Sequence, residues 1–355
     1  MDVFSNDYAA GHEKVLFARD DESGLRCIIA IHSTELGPAL GGTRFYPYAS
    51  EADALKDVLR LSAAMTLKNA AAGLDLGGGK AVVLGDPRTV KSERLLRALA
   101  RVVDSLGGRY LTAEDVGMTL ADMDLMRRET PYATGGSVDT GGSGDPSPVT
   151  ARGLLASLKA AVKFQSGSDD LAGLHVVVQG VGKVGFAFAR HLCESGCRVS
   201  VADVNEAAVQ RAVSEVGAEC LKPGTEFGVD CDVFSPCALG AQLNARTIPE
   251  LRCRMVVGSA NNQLETVEDG ARLAERGILY APDFVVNAGG VMNIFEELQP
   301  RGYSAERALR RVDGLYDGTL AVLAKARDEG VRTEVAAERL ARERIAAVSD
   351  LKRRM

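Results

Sequence analysis

In the stretch MTLKNAAAGLDLGGGKAVVLGD (Met65–Asp86), two lysines stand twelve residues apart: Lys68, and Lys80 directly behind a triple glycine. Glycines ahead of a lysine suggest a phosphate loop. That motif needs a glycine where Leu74 stands and a Ser or Thr where Ala81 stands. The hydroxyl that would hold magnesium is missing, so phosphate-loop chemistry is excluded. A lone lysine in a plain turn would simply point to solvent. Two lysines near one another have a further use, because each disfavours the other's charge. The less exposed one is then a usable general base, and the other, still charged, suits a carboxylate. Asp115 and the loop GPALGGTR (Gly37–Arg44) complete the polar candidates of this half of the chain, with Gly41 and Gly42 offering backbone amides that no side chain blocks.

The second constellation is LHVVVQGVGKVGFAFARHLCESGCRVSVADV. His175–Gln179 reads as a strand, Gly180-x-Gly182-x-x-Gly185 as the turn, and Lys183 to about Ser195 as a helix. A further strand, Arg198–Ala202, ends at Asp203. Gly180 makes the tight turn, Gly182 lets the backbone approach a pyrophosphate, and Gly185 lets helix pack on strand. The pyrophosphate lies over the helix N-terminus, where unpaired N–H groups favour an anion. Asp203 falls eighteen residues after Gly185, placed to accept from an adenine ribose and to repel a 2′-phosphate. NAD is favoured over NADP.

These residues need elements to position them. KVLFARDDESGLRCIIAIHST reads as a hairpin turning at Asp20–Gly24. From Glu51 the apolar residues Leu55, Val58, Leu59, Ala63 and Leu67 recur at helical spacing, which puts Lys68 near a helix C-terminus. KAVVLGD reads as a strand beginning at Lys80, and RYLTAED as one ending at Asp115, so both residues are expected at strand ends. A helix is expected over about Ser92–Leu106 between them. The run GGSVDTGGSGDPSP (Gly135–Pro148) is a domain boundary or a mobile loop. A helix over about Val149–Phe164 follows, then alternating strands and helices to about Asn287, the pattern of a parallel sheet. The tail from Ser304 reads as two helices broken near DEGVRT. The expected fold is α/β: an N-terminal α/β substrate domain over residues 1–140, joined by a C-terminal helix at 330–355, and a Rossmann-type doubly wound NAD-binding domain over 145–328. A cleft between them would close over both ligands and exclude water.

Bulk properties narrow the function. A chain of 355 residues is long for one core. Its net charge of -6 leaves no excess of cations for nucleic acid. No apolar run reaches the length of a membrane span, and MDVFSNDYAAGHEK lacks the pattern of a signal peptide. Seven cysteines without a CxxC pair read as reduced thiols in the cytoplasm, and four scattered histidines give no metal spacing.

GPALGGTR, MTLKNAAAGLDLGGGKAV, AEDVGMTLADMD, VQGVGKVG, PCALG, GSANNQL and RGILYAPDFVVNAGGVMN, in this order, resemble the amino acid dehydrogenase superfamily of glutamate, leucine, phenylalanine and valine dehydrogenases. The valine, leucine and phenylalanine members are the most similar. The resemblance implies that Lys68 binds the substrate α-carboxylate beside Gly41 and Gly42, that Lys80 is the catalytic lysine, and that Asp115 is its proton-transfer partner. Asn262 would contact substrate. The NAD contacts would come from Gly180, Val181, Gly182, Lys183, Val184, Gly185, Asp203, Thr150, Cys237, Ala238, Ala260, Asn261 and Asn287. The implied reaction is hydride loss from Cα, water attack on the imine activated by neutral Lys80, and collapse to a 2-oxo acid and ammonia. Leu40, Met65, Ala113, Val291 and Ile294 match the side-chain pocket. Glutamate dehydrogenases carry a lysine at the position of Leu40, and a buried side-chain carboxylate without it would cost at least ~2 kcal/mol. An aliphatic substrate such as valine, leucine or isoleucine is expected. An aromatic amino acid (phenylalanine or tryptophan) is the runner-up, and an NAD-binding regulatory protein is the reading outside enzymes. A homo-oligomer is expected, with a dimer preferred to larger assemblies.

Overall fold

The triple glycine ahead of Lys80 is strand, not turn. In the computed structural model, which describes residues 7–354, Gly77–Leu84 is a single strand whose first seven residues are buried. Each glycine makes room for a neighbour. A Cβ at Gly77 would lie 1.8 Å from Ser33 O, one at Gly78 2.2 Å from Thr66 N, and one at Gly79 2.7 Å from the Tyr110 ring. The helix Glu51–Ala71 carries Thr66 and therefore sits unusually close to the strand.

Six strands form the sheet around it: β1 (Lys14–Asp20), β2 (Leu25–Ser33), β3 (Ala39–Leu40), β4 (Thr43–Tyr46), β5 (Gly77–Leu84) and β6 (Tyr110–Leu111). The order is β1-β2-β5-β3-β6, with β4 also on β5. β1 and β2 are the expected hairpin, and β2 runs antiparallel to β5, while β3 and β4 run parallel to it. Ser50 caps the helix Glu51–Ala71 by accepting from Asp53 N, and Leu55, Val58 and Leu59 bury against Ile28, Ala30 and Val82 of the sheet. The helix Glu93–Asp104 packs Leu95, Leu96, Leu99 and Val103 into a second apolar cluster with Ile29, Ile31, Phe45 and Val83.

Two expectations change here. Lys80 is the fourth residue of an eight-residue strand rather than its first, because pairing with β2 outweighs the weak strand preference of glycine. RYLTAED is regular strand only over Tyr110–Leu111. Its partner β3 is two residues long, so the ladder ends there; bridges at Thr112↔Ala133 and Thr43↔Glu114 carry the chain on to Asp115.

The second sheet is parallel throughout: β7 (His175–Gln179), β8 (Arg198–Ala202), β9 (Glu219–Cys220), β10 (Val233–Pro236), β11 (Met255–Val256) and β12 (Leu279–Tyr280), in the order β12-β11-β10-β7-β8-β9. The order reverses beside β7, the doubly wound arrangement whose switch point binds dinucleotides. All five residues of β7 are buried. The helix Ser147–Ser166 begins two residues before the expected start.

By packing, the chain divides into two units. One holds the chain to Asp145, Ile294–Ala305 and the chain from Ala341 onward; the other holds Pro146–Asn293 and Glu306–Leu340. This division differs from the expected 1–140, 145–328 and 330–355 in giving Asp145 and Ile294–Ala305 to the first unit and residues 330–340 to the second. The glycine-rich run holds the boundary at Asp145 and Pro146, as expected, and is tied by hydrogen bonds: Asp124 accepts from Ser137 N at 2.9 Å and Thr140 Oγ1 at 2.6 Å, and Glu297 accepts from Gly135 N at 2.9 Å and Ser143 N at 2.7 Å. The tail has three helices, Ala305–Asp313, Leu315–Glu329 and Thr333–Arg354, because Gly314 adds a break to the expected one, which falls at Gly330 in a left-handed conformation (φ 65°). In the first unit Ala341 and Ile345 of the last helix pack with Leu36, Leu67, Ala70 and Ala71, and Arg344 donates to Leu74 O at 2.9 Å and to Asp75 Oδ1 at 2.7 Å. Among the described residues no helix is long and apolar enough to cross a membrane, and all seven cysteines are free thiols.

Candidate active site

Lys80 is 6% exposed, and its Nζ lies 2.7 Å from Asp115 Oδ2. A lysine so enclosed needs a counter-charge, and the loop after β6 brings one. The glycine pair of GPALGGTR makes that approach possible. A Cβ at Gly42 would stand 2.7 Å from Glu114 O and 2.9 Å from Asp115 Cβ, and one at Gly41 1.8 Å from Gly79 O. Both glycines thus serve tight backbone packing. Of the two amides expected to face a carboxylate, that of Gly41 is already engaged, donating to Leu111 O at 3.2 Å. The same glycine lies beside Met65, whose Cγ would be 3.3 Å from an added Cβ.

Lys68 stands in the last turn of its helix, half-buried, one turn beyond Met65 and on the same face. Leu40 and Ala113 are buried, and Ala113 and Ile294 both adjoin Gly135. The first unit therefore brings together Lys80 with Asp115 and Gly42, Met65 with Gly41, and Ala113 with Ile294. Val291 and Asn262 belong to the second unit.

Burial alone would raise the pKa of Asp115. Lys80 and Arg44 outweigh it, and the carboxyl is held below the usual aspartate range. Arg44 is the residue that sequence reasoning missed. It ends GPALGGTR, and its Nε lies 3.1 Å from Asp115 Oδ2. A cation two residues past a glycine pair was the available signal.

In the second unit the three glycines differ in kind. Gly180 has φ +93°, and a Cβ there would stand 2.6 Å from that of Ala238. At Gly185 a Cβ would meet Gly180 O at 1.9 Å, so helix Lys183–Glu194 lies hard against the turn. Gly182, at the cap of that helix, has nothing within 4 Å of its Cβ position, leaving exposed backbone that a phosphate can approach. Val181 is buried, Val184 half-buried and Lys183 exposed at the first helical position. Asp203 follows β8, its Oδ2 accepting from Val181 N at 2.8 Å and its Oδ1 from Asn205 N at 2.9 Å. A carboxylate has about four acceptor positions, so capacity for a ribose remains.

The loops after β10 and β11 lie along the same sheet edge. Cys237 N donates to Gln179 O at 2.7 Å, and Ala260 N to Pro236 O at 2.9 Å. Burial pushes the Cys237 thiol up, which makes it a filler rather than a nucleophile. Asn262 adopts φ 52°, a left-handed conformation that asparagine tolerates. Asn287 Nδ2 donates to Asn261 Oδ1 at 2.9 Å and to Ser259 O at 3.2 Å, while Asn287 Oδ1 is buried without a partner. Thr150 packs against Gly289 and Gly290. A buried amide oxygen left unpaired carries a cost that a donor removes, and the carboxamide of a nicotinamide is such a donor. Open backbone at Gly182, acceptors on Asp203 and this oxygen fit a dinucleotide.

The comparisons agree with the geometry. Residues 12–132 match the Glu/Leu/Phe/Val dehydrogenase dimerisation domain, and residues 205–352 match Glutamate/Leucine/Phenylalanine/Valine dehydrogenase. The chain is 51% identical over 350 residues to leucine dehydrogenase of Bacillus cereus, covering 99% of this chain and 95% of that one. It is 48% identical over 338 residues to valine dehydrogenase of Streptomyces virginiae, covering 94% of each. Among solved structures, L-tryptophan dehydrogenase from Nostoc punctiforme superposes with a TM-score of 0.84 at 42% identity, covering 95% of this chain and 97% of that one. The chain belongs to the Glu/Leu/Phe/Val dehydrogenase family, and is an amino acid dehydrogenase working with a nicotinamide cofactor.

Proposed function

We propose that this chain catalyses the reversible oxidative deamination of branched-chain L-amino acids (valine, leucine and isoleucine) to 2-oxo acids and ammonia, with NAD as the cofactor. The observation that carries the reading is the pairing of buried Lys80 with half-buried Asp115 at 2.7 Å, set in a unit whose Leu40, Met65, Ala113 and Ile294 are apolar. Lys68 holds the α-carboxylate. The nicotinamide, when bound, accepts the hydride that leaves Cα. Neutral Lys80 then takes a proton from the water that attacks the imine carbon. Asp115, hydrogen-bonded to Lys80 Nζ, assists transfer of a proton to the departing nitrogen as the carbinolamine collapses. Asn262 and Val291, on the second unit, keep the substrate roles that the resemblance assigns, and Ala260, Asn261, Asn287, Thr150, Cys237 and Ala238 keep theirs toward the cofactor.

The Asp203 carboxylate supports NAD over NADP, since a 2′-phosphate beside it would be repelled. Leucine and valine dehydrogenases among the relatives support an aliphatic substrate, and the likeness to L-tryptophan dehydrogenase is the observation favouring the aromatic alternative. A methylene more or less in an apolar pocket is worth only about 1–3 kcal/mol, so several branched substrates should react. The free thiols support a cytoplasmic setting, and the dimerisation-domain match supports a homo-oligomer, which we take to be a dimer. Following reduced-nicotinamide absorbance with valine, leucine, isoleucine, phenylalanine, tryptophan and glutamate, each with NAD⁺ and NADP⁺, tests the whole reading. Higher kcat/KM with phenylalanine or tryptophan than with all three branched substrates would overturn the substrate assignment, and equal use of both cofactors would overturn that of Asp203.

A further inference from the structure

Asp115 answers two cations, not one. Its Oδ2 accepts from Lys80 Nζ at 2.7 Å and from Arg44 Nε at 3.1 Å. Arg44 comes from β4, where Thr43 and Phe45 are fully buried and the alternate face carries the guanidinium. At its other end Arg44 Nη1 donates to Asp57 Oδ2 at 3.0 Å, and the Tyr48 hydroxyl donates to the same oxygen at 2.7 Å. Asp57 lies in the second turn of the helix Glu51–Ala71. Charges therefore alternate from the enclosed lysine outward: Lys80, Asp115, Arg44, Asp57. Burial disfavours the charge of Arg44, and Asp115 with Asp57 more than restores it.

The reaction makes this second cation necessary. Lys80 passes between charged and neutral forms, and as sole partner it would leave Asp115 unpaired in one of them. A mostly enclosed carboxylate without a partner is costly and tends to take up a proton. An arginine does not lose its proton, and its planar fork can grip two carboxylates at fixed geometry. We infer that Arg44 is a positioning residue that holds Asp115 in place and favours its return to the ionised form between proton transfers while Lys80 changes charge, and that Asp57, steadied by Tyr48, positions Arg44 in turn. The inference rests on the assignment of proton transfer to Lys80 and Asp115. Arg44 acts through Asp115 and not on the substrate. Its outer side lines a cavity of about 560 Å³ with Tyr46, Tyr48, Asp57 and Arg60, wide enough for a small cation to reach the place of a shortened side chain.

The test compares Arg44→Ala, Arg44→Lys, Asp57→Asn and the double variant Arg44→Ala/Asp57→Asn with the parent, using NAD⁺ and the best branched-chain substrate. Arg44→Ala should lower kcat about 10- to 100-fold, as loss of an orienting partner commonly does. KM for the amino acid and for NAD⁺ should move less than about threefold, since no binding contact is removed. Millimolar guanidinium should restore part of the lost kcat in Arg44→Ala and leave the parent unchanged. Arg44→Lys should fall between, because one ammonium cannot grip both carboxylates. The double variant should be no slower than Arg44→Ala, since Asp57 acts only through Arg44. A kcat within about twofold of the parent in Arg44→Ala, a loss confined to KM, or losses that multiply in the double variant would overturn the inference. Should Arg44→Ala fail to fold by far-ultraviolet circular dichroism, Arg44→Lys and Asp57→Asn decide, and full activity in both overturns it. A parent that turns over no amino acid would instead overturn the assignment of Lys80 and Asp115 on which this rests.

Discussion

A carboxyl shielded from water ordinarily holds its proton more tightly, and Asp115 does the reverse because Lys80 and Arg44 both reach its Oδ2. Its ordinary value is 3.8, and the folded value is lower. A depressed carboxyl contributes stability that is complete above the unfolded value and is lost as pH falls through the folded one. Asp115→Asn should therefore unfold at lower urea than the parent from neutrality down to about pH 4, the gap closing below that as the parent's carboxylate is protonated. A gap of constant size at pH 7 and pH 3 would mean that the depressed carboxyl adds nothing. Lys80→Ala should lose roughly 10²–10⁴-fold or more in kcat as a missing general base. Its NAD⁺ affinity, read by fluorescence titration, should stay near the parent's, since the glycine motif lies in the other unit. More than a tenth of the parent kcat would mean that another residue is the base. That Lys80 and Asp115 belong together was legible from residue type and motif. The link of Arg44 to Asp57 was not: thirteen residues separate them, and a strand and a helix meet to join them, which no local pattern records.

Glycines show how one residue type serves different elements. In β5 and at Gly185 they admit backbone, and at Gly182 open backbone remains. Gly78→Ala should destabilise by about 1–3 kcal/mol or more, because the new methyl meets the fixed backbone of Thr66 and Ser62. Gly182→Ala should melt like the parent yet bind NAD⁺ at least about tenfold more weakly, roughly 1.4 kcal/mol. Differential scanning fluorimetry with NAD⁺ titration reads both. Loss of stability in Gly182→Ala with affinity intact would remove the pyrophosphate from that turn. The parallel sheet was legible because strand, turn and helix follow one another locally. The first sheet was legible in its hairpin, in most of β5 and in β6, but not in the short strands β3 and β4. Its β5 was read three residues short, since glycine speaks against strand until the neighbouring β2 is in place.

At the scale of the molecule, neither unit is one stretch of chain. The first takes residues from the beginning, from Ile294–Ala305 and from Ala341 onward, which sequence patterns cannot announce because the pairing is wholly long-range. The turn of helix that carries Lys68 is packed by Ala341 and Ile345, and Arg344 clasps the loop just beyond it. On the ribosome this reverses the usual order, in which N-terminal domains fold first. The unit begun first waits for the segment from Ala341 to be translated, and Lys68 stays on an unbraced helix end until then. A chain stopped after Leu340 should bind NAD⁺ yet be cut by trypsin around Lys68–Lys80 far faster than the whole protein. Equal resistance there would show that the early segment matures without its late partner. Truncation before Ala341 would then be harmless to that segment, whereas the clasp of Ala341, Arg344 and Ile345 should make it cost activity, although these residues lie far along the chain from Lys68, Lys80 and Asp115.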